Sequence, residues 1–86
     1  MDRVSLITKI LMIIIDCSYN EANNVVKQTD TYYKIRHGDE RTLSKSLQAN
    51  VKKIGQELRV KGFEIGRLLS DENINRAMKI LKYSLV

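Results

Sequence analysis

The residues with the clearest chemical potential are cations that recur at regular intervals in the middle of the chain. Arg41, Lys45, Lys52 and Arg59 follow one another at steps of four and seven residues. If this stretch is helical, the four side chains fall within an arc of about 40°. The stretch 39–62 holds six basic and three acidic residues, and so carries +3 of the net charge of +5. Positive charge is therefore concentrated here.

A row of cations on one helix face predicts contacts with the phosphates of a nucleic acid, with DNA as the first expectation. Each phosphate that is neutralised releases condensed counterions, so such binding depends strongly on salt. Lys53, Arg76 and Lys79 are expected to support the row. We therefore predict a small, basic, nucleic-acid-associated regulatory or accessory protein. The alternative is that these charges only solvate the outer face of an amphipathic helix.

Enzymatic chemistry finds little support in the sequence. The chain has one His and one Cys, twenty residues apart, whereas a nucleophile needs a base within hydrogen-bond reach. His37 stands beside Gly38 at the end of a predicted helix. Asp16 is expected to raise the pKa of the neighbouring Cys17 thiol, which makes a reactive thiolate less favourable. The sequence also lacks a Gly-rich phosphate loop and any metal-ligand spacing. We expect no catalytic activity, no metal site and no cofactor.

The elements that must position the cations are predicted to be helices. Gly38 and Gly62 each follow basic residues, as is typical of helix C-termini. Ser18 and Glu21 form a capping box, and Asp39 and Ser70 are plausible N-caps. The predicted fold is all-α, a small bundle of about four helices in one domain over residues 1–86. The helices are expected at residues 3–16, 19–37, 40–61 and 71–84, with a helical turn at 63–69.

The third predicted helix has an apolar seam opposite its basic row. The seam falls within an arc of about 80°, and its members are Leu43, Leu47, Val51, Ile54 and Leu58. Gly55 lies on the same helix, and we expect it and Gly66 to permit close helix packing. The cations are thereby predicted to face solvent while the leucines face the core.

The first predicted helix is apolar on nearly every side between Val4 and Ile15. Such a helix must be enclosed from several directions, which three other short helices can barely achieve. We therefore expect a homodimer that shares this segment, with the interface formed by Ile7, Ile10, Leu11 and Ile14. The competing interpretation is a β-strand, since three consecutive isoleucines favour extended structure, but no second strand is available to pair with it.

The same apolar surplus supports a second function class. In that interpretation the chain is a helical protein-interaction module, such as an inhibitor, adaptor or chaperone, that buries its first helix against a partner. A membrane partner is not expected, because Lys9 and Asp16 confine the uninterrupted apolar run to six residues. A span needs about 18 to 20. These charges also argue against a signal peptide, so we expect a cytoplasmic protein.

Two further segments have features of nucleic-acid-binding motifs. The stretch 32–37 interleaves Tyr and basic residues, as single-strand binders do, but helical periodicity turns one of the two tyrosines inward. The stretch 61–81 has the length of a helix-turn-helix motif. In one register Asp71 and Arg76 would occupy buried positions, and in the other Glu64 would occupy the crowded small position. Neither register fits the motif.

Overall fold

The protein is all-α, as the sequence predicts. A computed structural model describes residues 2–84, with side chains from 2 to 82. In chain order the helices are α1 (Arg3–Ile15), α2 (Tyr19–Val26), α3 (Asp30–Arg36), α4 (Glu40–Leu43), α5 (Leu47–Val60) and α6 (Asp71–Ser84). A 3₁₀ helix, Glu64–Leu68, lies between α5 and α6. It coincides with the helical turn predicted for 63–69.

The predicted helix boundaries are largely confirmed by the capping contacts. Ser18 Oγ accepts from the backbone amide of Glu21 at 3.2 Å, and the Asp39 carboxylate accepts from the amides of α4. Ser70 Oγ accepts from the amide of Asn73 at 3.3 Å. Gly38 and Gly62 end their segments at φ of 73° and 88°, a conformation that residues with a Cβ adopt at a cost.

Two predicted helices are each interrupted once. Thr29 caps α3 by accepting from the amide of Tyr32, and so divides the segment 19–37 into α2 and α3. Ser46 caps α5 by accepting from the amide of Ala49 at 3.1 Å, and so divides 40–61 into α4 and α5. In both places a hydroxyl satisfies an amide that an uninterrupted helix would have bonded to a carbonyl. The continuous helix predicted for 40–61 is therefore wrong.

Side chains from distant elements hold both interruptions in place. The Glu57 carboxylate on α5 accepts from Thr31 Oγ1 at 2.7 Å and from two amides at the start of α3. Arg3 on α1 donates to the carbonyl of Lys45 and, at 2.7 Å, to Oδ1 of the buried Asn50. The breaks are thus positioned by tertiary contacts.

Helix α1 lies in the middle of the fold. It packs against α2, α3, α5, α6 and the 3₁₀ helix. Ile7, Ile10 and Leu11 are each 0% exposed, and Ile14 is half-buried against the same core. The chain's own helices thus cover the side chains that were expected to require a second copy. Three of the four residues predicted to form a dimer interface do not reach the surface of the chain.

The remaining core comes from the predicted seams. Val51, Ile54 and Leu58 are buried at 0% exposure, whereas Leu43 is 38% exposed because it belongs to the separate α4. The radius of gyration of 11.8 Å matches the value of about 12 Å expected for a compact chain of this length. Among the described residues, no helix combines the length and apolarity that crossing a membrane requires.

Candidate nucleic-acid interface

The outer face of α5 carries two of the four cations in the predicted row. Lys52 and Arg59 lie two turns apart and are both exposed, with exposed Gln56 between them. The burial of Val51, Ile54 and Leu58 on the opposite side fixes this orientation. Seven residues of helix rise place the two Cα atoms about 10 Å apart. This part of the row is built as the periodicity predicts.

The α5 cations border a groove formed with the 3₁₀ helix and the start of α6. Two adjoining depressions of about 130 and 460 Å³ share Arg59 in their lining. The smaller is also lined by Lys52 and Gln56, and the larger by Phe63 and Arg67. We call this surface the basic groove, defined by Lys52, Gln56, Arg59, Phe63 and Arg67.

Two glycines bring the walls of the basic groove together. A Cβ placed on Gly66 would lie 2.6 Å from the carbonyl oxygen of Gly55 and 2.8 Å from the amide nitrogen of Arg59. It would also lie 2.7 Å from Cγ of Arg59, so the stem of this arginine runs directly over Gly66. Close packing at Gly55 and Gly66 is thereby confirmed, and it holds Arg59 against the 3₁₀ helix.

The carboxylates around the groove neutralise it only partly. Lys52 Nζ lies 3.1 Å from Asp71 Oδ1, with side chains 50% and 56% exposed. Arg67 Nε lies 3.7 Å from Glu64 Oε2, and both of these groups are exposed. Exposed pairs of this kind contribute about 0–1 kcal/mol, so a phosphate can compete for either cation. Within residues 2–82, Arg59 forms no ion pair.

The other predicted cations are distributed over neighbouring elements. Lys53 lies one residue further round α5, in a shallow depression shared with Glu57 and Lys61. Arg41 is exposed on α4, and Lys45 is exposed in the loop between α4 and α5. Because Ser46 breaks the helix, these two do not continue the row of Lys52 and Arg59.

Two of the predicted cations lie on α6, which begins at the groove and also carries Lys82 in its last turn. Arg76 and Lys79 are exposed, and Arg76 Nη2 donates to Asn73 Oδ1 at 2.7 Å. Their Cα atoms stand about 7.5 and 12 Å along the helix from Asp71. They extend positive charge away from the groove along α6.

Sequence reasoning missed Phe63 and Arg67 as groove residues. Both lie in or beside the 3₁₀ helix, outside the α-helical wheel on which the row was drawn. The available signal was the recurrence of Arg59, Phe63 and Arg67 at steps of four residues. The turn at Gly62 reverses the chain and brings Phe63 and Arg67 back against α5.

A second cleft of about 490 Å³ lies between α1 and the segment from α2 to α4. Arg3, Lys27 and Arg36 are among its lining residues, but Arg3 is engaged in holding the α4–α5 loop. Tyr32 is buried beside this cleft whereas Tyr33 is exposed, so the expectation that one tyrosine turns inward is confirmed. Lys27 provides a cation outside the lining of the basic groove.

Cys17 and His37, the side chains with catalytic potential, follow different helices. Cys17 is half-buried just after α1, and burial, followed by Glu21 and Asp16, raises the pKa of its thiol. His37 is exposed at the end of α3. Among the described residues, no group of three or more His, Cys, Asp or Glu side chains is placed to hold a metal ion. In the stretch compared with a helix-turn-helix, a 3₁₀ helix stands where the motif has its first α-helix.

Comparison of the chain with protein-family models, with curated proteins and with solved structures finds no match.

Proposed function

We propose that the chain is a non-catalytic, nucleic-acid-associated regulatory or accessory protein that binds phosphates through the basic groove. Lys52 and Arg59 provide the central contacts, and Arg67 provides a third from the 3₁₀ helix. Arg41, Lys45, Lys53, Arg76 and Lys79 lie outside the groove lining and add long-range attraction for a polyanion.

The observation that carries the proposal is the position of Arg59. Its guanidinium forms no ion pair among the described side chains, its stem is held over Gly66, and it lies where both depressions meet. Because the first part of the Arg59 side chain already packs against Gly66, it loses less side-chain entropy on binding than a freely moving side chain would. On either side, Lys52 and Arg67 have only exposed carboxylate partners to exchange for phosphate.

The protein-interaction alternative loses part of its basis. It required an apolar face of α1 that is open to a partner helix, and Ile7, Ile10 and Leu11 are buried within the chain. A homodimer formed through α1 would face the same difficulty and would depend on half-buried residues such as Ile14. We therefore propose nucleic-acid binding as a property that does not require α1 to be shared.

Fluorescence anisotropy with labelled DNA and RNA probes tests the proposal. Three phosphate contacts predict a slope of log K against log salt near −2 for a single strand and near −2.7 for duplex DNA. Affinity should then fall about 20- to 40-fold between about 50 and 200 mM salt. The double change Lys52→Glu and Arg59→Glu should abolish binding at either salt concentration while leaving the melting temperature nearly unchanged.

A charge-matched control separates the groove from net charge alone. Lys27→Glu with Lys34→Glu makes the same change in net charge at exposed positions on α3 and the second cleft. This variant should retain most of the affinity of the unmodified chain. An equal loss of affinity in both variants would mean that binding depends on net charge and not on the groove. Absence of binding to every probe would reject the proposal.

A further inference from the structure

Phe63 is held rigidly by its backbone at the end of α5. Its amide donates to the carbonyl of Leu58 at 2.9 Å, and the amide of Gly62 donates to the carbonyl of Arg59 at 3.0 Å. These two bonds, with Gly62 at a φ of 88°, form a Schellman motif. The Phe63 carbonyl also accepts from the amide of Gly66 at 3.1 Å. Both backbone polar groups of Phe63 are therefore engaged.

The Phe63 side chain is nevertheless left partly in solvent. In a Schellman motif the residue at this position commonly packs its side chain back onto the helix. Here Phe63 remains 41% exposed, as part of the lining of the 460 Å³ depression. Arg59 and Arg67 line the same depression, so Phe63 shares it with two cations. Glu64 is its one acidic lining residue, and it is already paired with Arg67.

A half-exposed aromatic residue that shares a depression with two arginines matches one type of polyanion better than others. Successive bases of a single strand stack on aromatic side chains, while cations follow the backbone phosphates. In a duplex the bases are stacked on each other and their faces are not accessible to Phe63. An acidic peptide would satisfy Arg59 and Arg67 but has no flat face to place on the ring.

We propose that the basic groove takes a single-stranded nucleic acid, with one unpaired base stacked on Phe63 and the flanking phosphates on Arg59 and Arg67. This inference rests on the proposed function and narrows its ligand to unpaired strands. Stacking depends on ring faces and not on base edges, so the groove should accept many sequences.

The test compares a labelled oligothymidylate, an oligouridylate and a blunt DNA duplex of equal length. Phe63→Ala should weaken binding of both single strands about 5- to 150-fold, the range measured for loss of one base–aromatic stack. Phe63→Leu should lose affinity to a similar extent, because leucine has no ring. Phe63→Tyr keeps the ring and should keep the affinity of the unmodified chain. The matched control is Leu68→Ala, which removes an exposed apolar side chain from the 3₁₀ helix that follows Phe63 and should leave affinity within about twofold.

A tryptophan at this position provides a direct readout. The chain contains four Tyr and no Trp, so Phe63→Trp places its one tryptophan in the groove, where it can be excited selectively. Its emission should be quenched when oligothymidylate binds and should stay unchanged with the duplex. This variant keeps an aromatic ring, so the test does not depend on whether Phe63→Ala folds.

The outcomes separate this inference from the proposed function. Binding to the single strands and duplex with equal affinity, together with no loss in Phe63→Ala or Phe63→Leu, would overturn the stacking inference and leave phosphate binding standing. Binding of an acidic peptide such as oligoglutamate as tightly as oligothymidylate would also overturn it. Failure of every nucleic acid to bind would reject the proposed function itself.

Discussion

Gly66→Ala offers a demanding test of how the groove is built. The added Cβ would stand 2.6 Å from the Gly55 carbonyl oxygen and 2.8 Å from the Arg59 amide nitrogen. Side-chain rotation cannot relieve contacts with backbone atoms, so the 3₁₀ helix must move away from α5. Overpacking of this kind lowers the free energy of unfolding by about 1–3 kcal/mol. The lower entropy of the unfolded chain with alanine offsets about 0.4–1 kcal/mol of this, leaving a net loss of about 0–2.6 kcal/mol with a centre at about 1.3 kcal/mol.

The same displacement should weaken nucleic-acid binding, because the stem of Arg59 lies 2.7 Å from the added atom. Loss of one phosphate contact should make the salt slope about 0.7 less steep for a single strand. Stability is measured by urea unfolding followed by circular dichroism, and binding by anisotropy under conditions in which the variant is folded.

Gly38→Ala is the matched control for this change. Gly38 has a φ of 73° and nothing within 4 Å of an added Cβ, so alanine there introduces backbone strain without a clash. That strain costs about 1–2 kcal/mol before the same entropy offset, so the net loss is comparable with that at Gly66. Gly38 lies far from the groove in sequence. The reasoning is refuted if Gly66→Ala is as stable as the unmodified chain, or if both alanine variants have the same affinity and salt slope.

Three other predictions concern the rest of the fold. Ile10→Ala should lower the free energy of unfolding by about 2–5 kcal/mol and Ile14→Ala by less, because Ile10 is fully buried. Urea midpoints that rise with protein concentration would instead show that α1 stabilises an oligomer. Burial is the main cause of the raised pKa of the Cys17 thiol. Alkylation of Cys17 at pH 8 should therefore be slower than alkylation of a cysteine in a short peptide. A faster rate would contradict the raised pKa. The hydrogen bond from the Ser5 amide lowers the pKa of the Asp2 carboxylate below 3.8. The Asp2 cap of α1 should therefore stabilise the fold above pH 3.8, and this stabilisation should be lost as the pH falls through the lowered pKa. Melting temperatures of the unmodified chain and Asp2→Asn, compared from pH 5 to pH 2, should therefore converge or cross on acidification, and a constant difference would argue against the cap.

The sequence predicted most of the core because burial follows periodicity. Val51, Ile54 and Leu58 repeat at helical spacing and are fully buried, and Ser18, Asp39 and Ser70 cap helices as their positions indicate. These features depend on interactions within a few residues. Local interactions of this kind can be predicted from the types and spacing of neighbouring residues.

The interruptions at Thr29 and Ser46 escaped prediction for a physical reason. The apolar spacing from Leu43 to Leu47 is that of an uninterrupted helix, so the wheel gives no sign of a break. The break at Ser46 is held in place by Arg3, which donates to the carbonyl of Lys45 from another helix. A contact between residues so far apart in sequence has no local signature.

The basic groove was predicted in part for the same reason. Lys52 and Arg59 share a helix, so their common face could be read from spacing alone. Phe63 and Arg67 join them through the reversal of the chain at Gly62 and the close approach of Gly55 and Gly66. The sequence contains all of these residues, but only the packed structure brings them to one surface.

Nucleic-acid binding at the basic groove is the property from which the other functional predictions follow. An amide nuclear magnetic resonance titration of the isotopically labelled chain with oligothymidylate locates the contact residue by residue. We expect the largest shift changes in the stretch 52–71 and little change at Lys27 and Lys34. Changes centred on the cleft of Arg3, Lys27 and Arg36, or spread evenly over the exposed lysines, would contradict the account.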